Sequence, residues 1–404
     1  DNVEKTEVTK RQCVFVDNLV PESSSEVIGP QYEDGGKLYI DGVTEIELSC
    51  TDQSPHPSGM QYIEYKYSVD GSPVQDWKTY VSPFSFPQES HHTLEYRCVD
   101  NVNNVETANV EEYYVDHSAP TTTKTYGTPF YTDGNSDWIT SGTQITLTAD
   151  DGTSVHASGV QYTNYRVTLV DDSNCYTSCV ADGSGDFLTY SAAPFTIGED
   201  SCHLIEFYSV DNVEKTEVTK RQCVFVDNKP PVGSKVIGDP SILCSELGDP
   251  ECDYWVRDHV TEITLDCVDL GSHPVDYATM CYRMSFDDPA TPWLTEEYCI
   301  EFDGQMDGDW CCVDKANQPY TFRFTEDSLH DLEYYCEDSL GNRNEVDIEY
   351  FKVDSVPPTT TKTIGDCKYD NGTDLFVSCE TPFTLTAEDG GPICAVGVDT
   401  IHYT

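Results

Sequence analysis

The side chains of this sequence that could do chemistry are carboxylates and thiols. The 404 residues include 73 Asp and Glu against 22 Lys and Arg, which gives a net charge of −51, and 18 Cys. This charge repels nucleic acids and anionic membranes and attracts cations. A solvated surface that self-repulsion keeps soluble is the alternative use of the same charge. The sequence contains no Gly-x-Ser-x-Gly, His-Glu-x-x-His, Walker or dinucleotide-binding motif, so we do not expect an enzyme.

The cysteines indicate where the protein works. A reducing cytosol would leave most of them as free thiols, so this number favours disulfides and an extracellular or cell-surface location. No segment approaches the roughly 18 consecutive apolar residues of a membrane span. The first residues, 1–4, lack the features of a signal peptide, and we therefore expect a mature or partial sequence.

The sequence is an array of related modules. Residues 1–18 recur unchanged at 211–228, and such self-similarity is typical of tandem repeats. Segments with Pro and a later Gly begin the modules, at 20–29, 119–127, 230–238 and 357–365. Each precedes a segment of alternating apolar residues, at 43–52, 143–151, 260–269 and 381–389. The period of two predicts half-buried strands.

Three modules share a later strand, at 92–100, 203–211 and 330–338, and then a strand that ends in Val-Asp. Many short strands with Gly- and Asn-containing turns, and no long helical period, predict an all-β fold: tandem immunoglobulin-like β-sandwich domains in a beads-on-a-string rod. The predicted boundaries are the last strand of a preceding domain at 1–18, domain 1 at 19–118, domain 2 at 119–229, domain 3 with an insertion at 230–356, and the first part of domain 4 at 357–404.

The acidic residues should converge where the domains meet. In an immunoglobulin-like sandwich the B–C and F–G loops lie at the pole where the chain enters, beside the preceding linker. Each junction collects acids from these three places: Asp17, Asn18, Asp52 and Asp100; Asp116, Asp150, Asp151 and Asp211; Asp227, Asn228, Asp269 and Asp338; Asp354 and Asp389. Carboxylates so placed repel one another unless a cation joins them, and Ca²⁺ accepts six to eight oxygens in flexible geometry. We expect Ca²⁺ there; the alternative is that these residues only cap turns.

The cysteines test the fold. A disulfide between strands B and F is typical of this sandwich, which predicts the pairs Cys50–Cys98 and Cys267–Cys336. The second module has Ala149 and Ser209 at those two places. Symmetry about the turn at 212–213 predicts a Cys202–Cys223 pair, which leaves Cys175 with Cys179. The partner of Cys13 should lie outside this sequence, and Cys394 has no certain partner. Six further cysteines leave their connectivity open: Cys244, Cys252, Cys281, Cys299, Cys311 and Cys312.

Other candidate sites are weaker. Zinc is the competing use of the cysteines, but no Cys-x2-Cys pair exists and the histidines lack ligand spacing. His92, His203 and His330 begin strand F and are expected to be structural, and His56, His156 and His273 are expected to be solvated in loops. Asn371 begins an N-glycosylation sequon, and the Thr runs at 121–123 and 359–361 could carry O-glycans.

Several short patterns recur across the modules: T-A-D-D-G…S-G-V at 148–160, Y-S-V-D-G…W…Y…P-F at 67–84, and H-x-L-E-Y-R-x-V-D…N-V-E at 92–106. With the closing V-D-x-x-A-P, they resemble the immunoglobulin-like repeats of large bacterial and archaeal surface proteins of the adhesin, stalk or extracellular filament type. The resemblance covers essentially the whole chain and implies a structural or adhesive role. The high cysteine content and the insertion around 285–320 depart from that pattern.

These observations predict a structural repeat segment of an extracellular filament or stalk, rigidified by disulfides and junction Ca²⁺. The alternative is an adhesin whose modules bind a glycan or a protein, with the insertion as the binding surface. The expected partners are copies of itself or further repeats of the same chain.

The two ends of the sequence are pieces of one domain type. Residues 1–18 supply only a last strand, and the module that begins at 357 stops at Thr404 within a predicted strand. They could be parts of successive stretches of a longer polypeptide or segments that pair between subunits by strand donation. We favour the longer polypeptide, because the 42 residues that correspond to 169–210 would be missing from the joined domain.

Overall fold

The computed structural model describes residues 2–271, 273–275, 278–286, 295–301, 304–391 and 393–404. Its regular structure is almost entirely β, and the strands fall into four successive groups, which we call domains 1 to 4. No helix in the described part of the chain is long and apolar enough to cross a membrane.

Domain 1 contains nine strands: β1 (Glu22–Ile28), β2 (Gln31–Asp34), β3 (Lys37–Asp41), β4 (Glu45–Thr51), β5 (Met60–Val69), β6 (Ser72–Pro73), β7 (Lys78–Thr79), β8 (His91–Asp100) and β9 (Asn109–Asp116). β1 pairs with β4 in one layer, and the other layer has the order β2-β3-β9-β8-β5-β6, with β7 beside β5. Every second residue of β4 and β8, including Ile46, Leu48, Leu94 and Tyr96, faces a shared core. The predicted alternation therefore produces the sandwich.

Domain 2 repeats this plan with eight strands and one short helix: β10 (Thr121–Tyr126), β11 (Phe130–Thr132), β12 (Asp137–Ile139), β13 (Ile145–Asp150), β14 (Val160–Leu169), α1 (Ser173–Tyr176), β15 (Leu188–Thr189), β16 (Cys202–Asp211) and β17 (Lys220–Val226). β10 pairs with β13, and the second sheet has the order β11-β12-β17-β16-β14-β15.

Domain 3 is the largest: β18 (Val232–Ile237), β19 (Ser241–Leu243), β20 (Tyr254–Arg257), β21 (Ile263–Val268), β22 (Ala278–Phe286), α2 (Thr295–Glu301), β23 (Gln305–Asp307), β24 (Trp310–Val313), β25 (Tyr320–Phe322), β26 (Leu329–Asp338) and β27 (Asp347–Asp354). Short 3-10 helices span Cys244–Leu247 and Lys315–Asn317. Its sheets have the orders β18-β21-β25 and β19-β20-β27-β26-β22-β24-β23. Within the predicted insertion, 287–294 and 302–303 lie outside the described residues.

Domain 4 comprises β28 (Thr359–Ile364), β29 (Lys368–Asp370), β30 (Leu375–Val377) and β31 (Phe383–Glu388). β28 pairs with β31, and β29 with β30. These are the counterparts of β10–β13 in domain 2.

The last strand of each complete domain fixes the position of the next junction. β9, β17 and β27 each pair antiparallel with the preceding long strand and parallel with a short early strand, β3, β12 or β20. Each ends at, or one residue before, an aspartate, and the next domain begins a few residues later. The chain therefore leaves one sandwich at the pole where the next one starts.

Seven disulfides are formed in the described residues. Cys50–Cys98 and Cys267–Cys336 join the two layers of domains 1 and 3, as the sequence predicts. Domain 3 adds the pairs Cys244–Cys252, Cys281–Cys312 and Cys299–Cys311. Cys13, Cys367, Cys379 and Cys394 are unbonded.

The pairing predicted for domain 2 is wrong. Cys175 bonds to Cys202, and Cys179 to Cys223. Cys202 lies opposite Phe225, and Cys223 opposite Leu204, so the two cysteines are displaced by two positions along the hairpin. One extra residue between the Val210–Thr216 bridge and Lys220 contributes to this shift. Each cysteine is thereby free to take a partner from the segment around α1.

Candidate metal centres at the domain junctions

Three clusters of carboxylates lie at domain junctions. Each combines an Asp from the segment that enters a domain, an Asp from the B–C loop that follows strand B of that domain (β4, β13 or β21), and the final Asp of its strand F (β8, β16 or β26), which the F–G loop follows. In each cluster one oxygen per residue lies within 4.8 Å of the others: Asp17, Asp52 and Asp100; Asp116, Asp151 and Asp211; Asp227, Asp269 and Asp338. The structure thus brings together nine of the residues that the sequence analysis assigned to junctions.

Hydrogen bonds from backbone N–H groups explain why an aspartate stands at each of these linker positions. The linker aspartates Asp17 and Asp116 accept the N–H of Ser58 and Ser158 at 2.7 Å, and Asp227 accepts that of Val275 at 3.1 Å. For Asp116 and Asp227 this bond attaches the B–C loop of one domain to the end of the last strand of the preceding domain. These bonds fit the alternative reading, in which the acids cap turns, and at Asp17 and Asp227 the second oxygen also accepts a backbone N–H, from Leu19 and Lys229.

The F-strand aspartates organise the F–G loop in the same way. Asp211 Oδ1 accepts the N–H groups of Val213 and Lys215 at 2.9 and 2.8 Å. Asp100 and Asp338 do the same, and their Oδ2 atoms also accept the side-chain amides of Asn104 and Asn342. Domain 2 has Lys215 in place of this asparagine, and Lys215 instead pairs with Asp41 of domain 1 at 2.7 Å.

The cluster between domains 1 and 2 consequently keeps unsatisfied oxygens. Asp211 is 0% exposed, and its Oδ2 has no hydrogen-bond partner among the described residues. The same holds for Asp151 Oδ1 and for the hydroxyl of buried Ser158. Buried polar atoms without partners are rare in folded proteins, and a bound ion is one of their ordinary explanations. Three such oxygens at one junction fit a cation.

The electrostatics of the clusters agree with this reading. Burial, together with the charges of Asp116 and Asp151, raises the pKa of Asp211 to about 7. Burial and the charge of Asp116 raise the pKa of Asp151 to about 6. Burial also raises the pKa of Asp227 to about 6 and raises that of Asp338. A cation would remove this destabilisation of the ionised carboxylates.

The first cluster is less enclosed. Asp17 and Asp52 are partly exposed. Burial acts to raise the pKa of Asp100, but hydrogen bonds from Asn104 and Val102 outweigh it and lower the pKa.

Five predicted ligands lie outside the three clusters. Asp150 accepts the N–H of Gly152 and is exposed, Asn228 accepts that of Ser141, and Asn18 is exposed. Asp354 and Asp389 accept the N–H groups of Val396 and Gly397 at 3.0 and 2.7 Å, as their counterparts do at the other junctions. Sequence reasoning missed Ser158. Its only signal was its place directly before a B–C loop glycine.

No protein-family description matches this sequence, and no curated protein matches it. It is similar to the solved three N-terminal domains of the bacteriophage RB49 Highly Immunogenic Outer Capsid protein (Hoc), with 10% identity, 84% of this chain and 99% of that chain covered, and a TM-score of 0.32. Fibronectin(III)-like modules of Clostridium thermocellum CbhA show 10% identity, coverages of 50% and 94%, and a TM-score of 0.25. A 1.5-MDa bacterial ice-binding adhesin shows 8% identity, coverages of 84% and 100%, and a TM-score of 0.28.

The chain is a tandem array of immunoglobulin-like β-sandwich domains.

Within this array the F-strand histidines are buried. His92 Nε2 lies 2.8 Å from the Gln88 carbonyl, and His203 and His330 contact the carbonyls of Ser201 and Ser328. In the B–C loops, the His56 ring lies tilted beside that of Phe15, His156 faces Glu89, and His273 faces Asp172 at 3.2 Å. Buried His273 therefore differs from the expected solvated loop residue. Asn371 is exposed in the turn between β29 and β30.

Proposed function

We propose that this chain is a structural segment of an extracellular filament or stalk whose domain junctions are fixed by bound Ca²⁺. The observation that carries the proposal is the set of buried, unpartnered oxygens of Asp151, Ser158 and Asp211 beside Asp116. Asp116 ends domain 1, and the other three residues belong to domain 2. An ion held there would join two domains rather than stabilise one.

The donor set suits calcium. Hard carboxylate and hydroxyl oxygens are the ligands of Ca²⁺ and Mg²⁺, and Ca²⁺ accepts more ligands in less regular geometry. Among the described residues, backbone N–H groups bond to one oxygen of Asp116 and to one oxygen of Asp211, so each carboxylate has ligand capacity left. The cluster of Asp227, Asp269 and Asp338 holds the corresponding positions between domains 2 and 3, although both oxygens of Asp227 and of Asp338 accept hydrogen bonds there.

Two further features support a stiff extracellular rod. Seven disulfides suit an oxidising environment. At the second junction, Val275 and Leu340 of domain 3 pack in one apolar cluster with Trp138 and Phe225 of domain 2. Neighbouring domains that share a buried apolar contact resist bending.

Calcium titration of a matched pair of variants tests the proposal. Asp211→Asn removes the charge of a fully buried carboxylate, while Asp186→Asn makes the same change at an exposed position of domain 2. By isothermal titration calorimetry we expect Asp211→Asn to lose one binding event and Asp186→Asn to match the unaltered protein. No heat of binding for the unaltered protein, or identical titrations for both variants, would refute the calcium site.

A further inference from the structure

Domain 2 has a longer connection than domain 1 at the pole that meets the following domain. β14 and β5 end at equivalent positions, because their last residues pair with the equivalent histidines His203 and His92. β15 and β7, which pair with these two strands, are equivalent as well. Between the equivalent strands domain 2 has residues 170–187, and domain 1 has residues 70–77. We call residues 170–187 the domain 2 insertion; it contains α1.

Two disulfides attach the domain 2 insertion to the strands that lead to domain 3. Cys175 bonds to Cys202 at the start of β16, and Cys179 bonds to Cys223 in β17. Both bonds end on one sheet, so they do not join the two layers as Cys50–Cys98 does in domain 1. Their effect is to hold the insertion in one position against the pole of domain 2.

The domain 2 insertion also contacts domain 3. Asp172 directly precedes α1, and its Oδ1 lies 3.2 Å from Nδ1 of buried His273 in the B–C loop of domain 3. The ring of His273 stacks on that of Phe225, with the centroids 5.5 Å apart. The ring of Tyr176 in α1 lies 4.6 Å from Phe225. Phe225 therefore contacts one ring from the insertion and one from domain 3.

The disulfide sulfurs belong to the apolar contact between domains 2 and 3. The buried cluster that contains Val275 and Leu340 of domain 3 also contains Cys175, Cys202 and Cys223 of domain 2. The core cluster of domain 1, in contrast, consists of domain 1 residues. Because the disulfides lie inside the contact, they shape the surface against which domain 3 packs.

The first and second junctions also differ in what they offer a cation. Between domains 1 and 2, Asp211 Oδ2 and the Ser158 hydroxyl have no hydrogen-bond partner among the described residues. Between domains 2 and 3, both oxygens of Asp227 and of Asp338 accept hydrogen bonds. An ion would therefore contribute less at the second junction, where the insertion makes its contacts.

We propose that the domain 2 insertion holds domains 2 and 3 together, and that its two disulfides keep this junction closed whether or not a cation is bound. Without the disulfides the insertion loses its fixed position, and with it the contact of Asp172 with domain 3. This inference goes beyond the proposed function and does not rest on it. The two junctions then depend on different conditions: removal of a metal opens the first, and loss of the disulfides opens the second.

Two equivalent backbone amides report the opening of the two junctions. The N–H of Ser158 donates to Asp116 across the first junction, and the N–H of Val275 donates to Asp227 across the second. Hydrogen exchange of an amide that is bonded in this way measures local opening. Exchange at both amides can be followed in the same sample of the full chain. Amides of β13, in the other layer of domain 2, show whether that domain stays folded.

The first test removes one disulfide of the insertion. Cys175→Ser combined with Cys202→Ser should speed exchange at Val275 at least about fivefold, since only part of the constraint of a disulfide has to be lost for this. Exchange at Ser158 should stay as in the unaltered protein. The matched control is Cys244→Ser combined with Cys252→Ser, which removes a disulfide within domain 3 and should change neither amide.

The second test keeps both disulfides and removes the contact with domain 3. Asp172→Ala should speed exchange at Val275 about threefold, as expected for one partly exposed ion pair. Asp182→Ala is the matched control, because this side chain lies in the same insertion and is 99% exposed. This pair of variants decides the question if exchange in β13 shows that the cysteine variant has unfolded domain 2.

EDTA separates this proposal from the calcium proposal. In EDTA the unaltered protein should keep the Val275 amide protected, while exchange at Ser158 should become faster. An unchanged Ser158 amide in EDTA would count against calcium at the first junction and leave the role of the insertion intact. Two results would overturn the proposal: exchange at Val275 that rises in EDTA, or exchange at Val275 that is unchanged by Asp172→Ala and by the folded cysteine variant.

Discussion

At the scale of single residues, the difference between a structural aspartate and a candidate ligand lies in its second oxygen. Asp100, Asp211 and Asp338 all use Oδ1 to hold the F–G loop. Asn104 and Asn342 satisfy the other oxygen in domains 1 and 3, while in domain 2 Asp211 Oδ2 remains without a hydrogen bond. The junction of domains 1 and 2 is therefore where we expect the tightest cation binding.

The raised carboxylate pKa values predict how pH affects the metal-free protein. Asp211 has a pKa of about 7, and Asp151 and Asp227 have pKa values of about 6. Their folded values exceed the unfolded value of roughly 4, so their contribution to stability is complete below pH ~4 and is lost as pH rises through ~6 to 7. In EDTA the melting temperature should be lower at pH 8 than at pH 5, and calcium should shrink that difference. A melting temperature in EDTA that rises between pH 5 and pH 8 would contradict the raised pKa values of these carboxylates.

Lys124 offers a second residue-scale prediction. Its ammonium lies 3.2 Å from the Tyr126 ring centroid and has no ion-pair partner among the described residues. Burial lowers its pKa to about 7, although the charge of Asp137 opposes this shift. Because the folded pKa lies below the unfolded one, the cost to stability grows as pH falls from ~10 to ~7 and stays constant below that.

Lys124→Met should therefore raise the free energy of unfolding of domain 2 at pH 7 by about 1 kcal/mol. Chemical denaturation measures this. The control is Lys362→Met at the corresponding, exposed position of domain 4, which should change little. A destabilised Lys124→Met would show that the cation–π contact outweighs the cost of burial.

At the scale of elements, the sequence predicted the features that depend on residue alternation and on cysteine spacing. The period of two at 143–151 predicted β13, and the paired cysteines at 50 and 98 predicted that β4 and β8 face each other. The register of the hairpin formed by β16 and β17 could not be predicted from the sequence, because it includes one extra residue before Lys220. The position of this extra residue depends on the hydrogen bonds that Glu217 accepts. Glu217 accepts the N–H groups of Thr122 and Ser209, one of which belongs to the opposite sheet. A contact between two sheets leaves no pattern in the local sequence from which the register could be predicted.

Domain 2 replaces the inter-sheet disulfide by hydroxyls. The buried Ser209 hydroxyl bonds to those of Thr122 and Thr163 at 2.6 and 2.7 Å. The double change Ala149→Cys and Ser209→Cys should form the B–F disulfide of domains 1 and 3 and stabilise domain 2 by about 2 kcal/mol after the loss of these bonds. Ser209→Cys alone is the control and should destabilise. Intact mass shows the loss of two hydrogens on bond formation; two free thiols in the double variant would refute the structural equivalence.

At the scale of the whole molecule, the junctions decide whether the domains form a rod or a flexible string. The contact between domains 2 and 3 rests on few side chains, so one change should loosen it. Leu340 is 4% exposed and packs with Trp138 across the junction.

Leu340→Asp should uncouple domains 2 and 3 at a cost of about 2 kcal/mol and broaden the distance distribution in small-angle X-ray scattering. Leu247→Asp, at a 48% exposed position of domain 3, is the matched control. If both variants scatter like the unaltered protein, this apolar contact does not hold the junction.

Thermal unfolding with and without a chelator tests the central claim most directly. At pH 7.5 the ionised junction carboxylates repel one another unless an ion joins them, so EDTA should lower the melting temperature of the unaltered protein. Added calcium should restore it, and Asp211→Asn should respond less to either treatment. Identical unfolding curves in calcium and in EDTA would contradict a calcium-bridged rod.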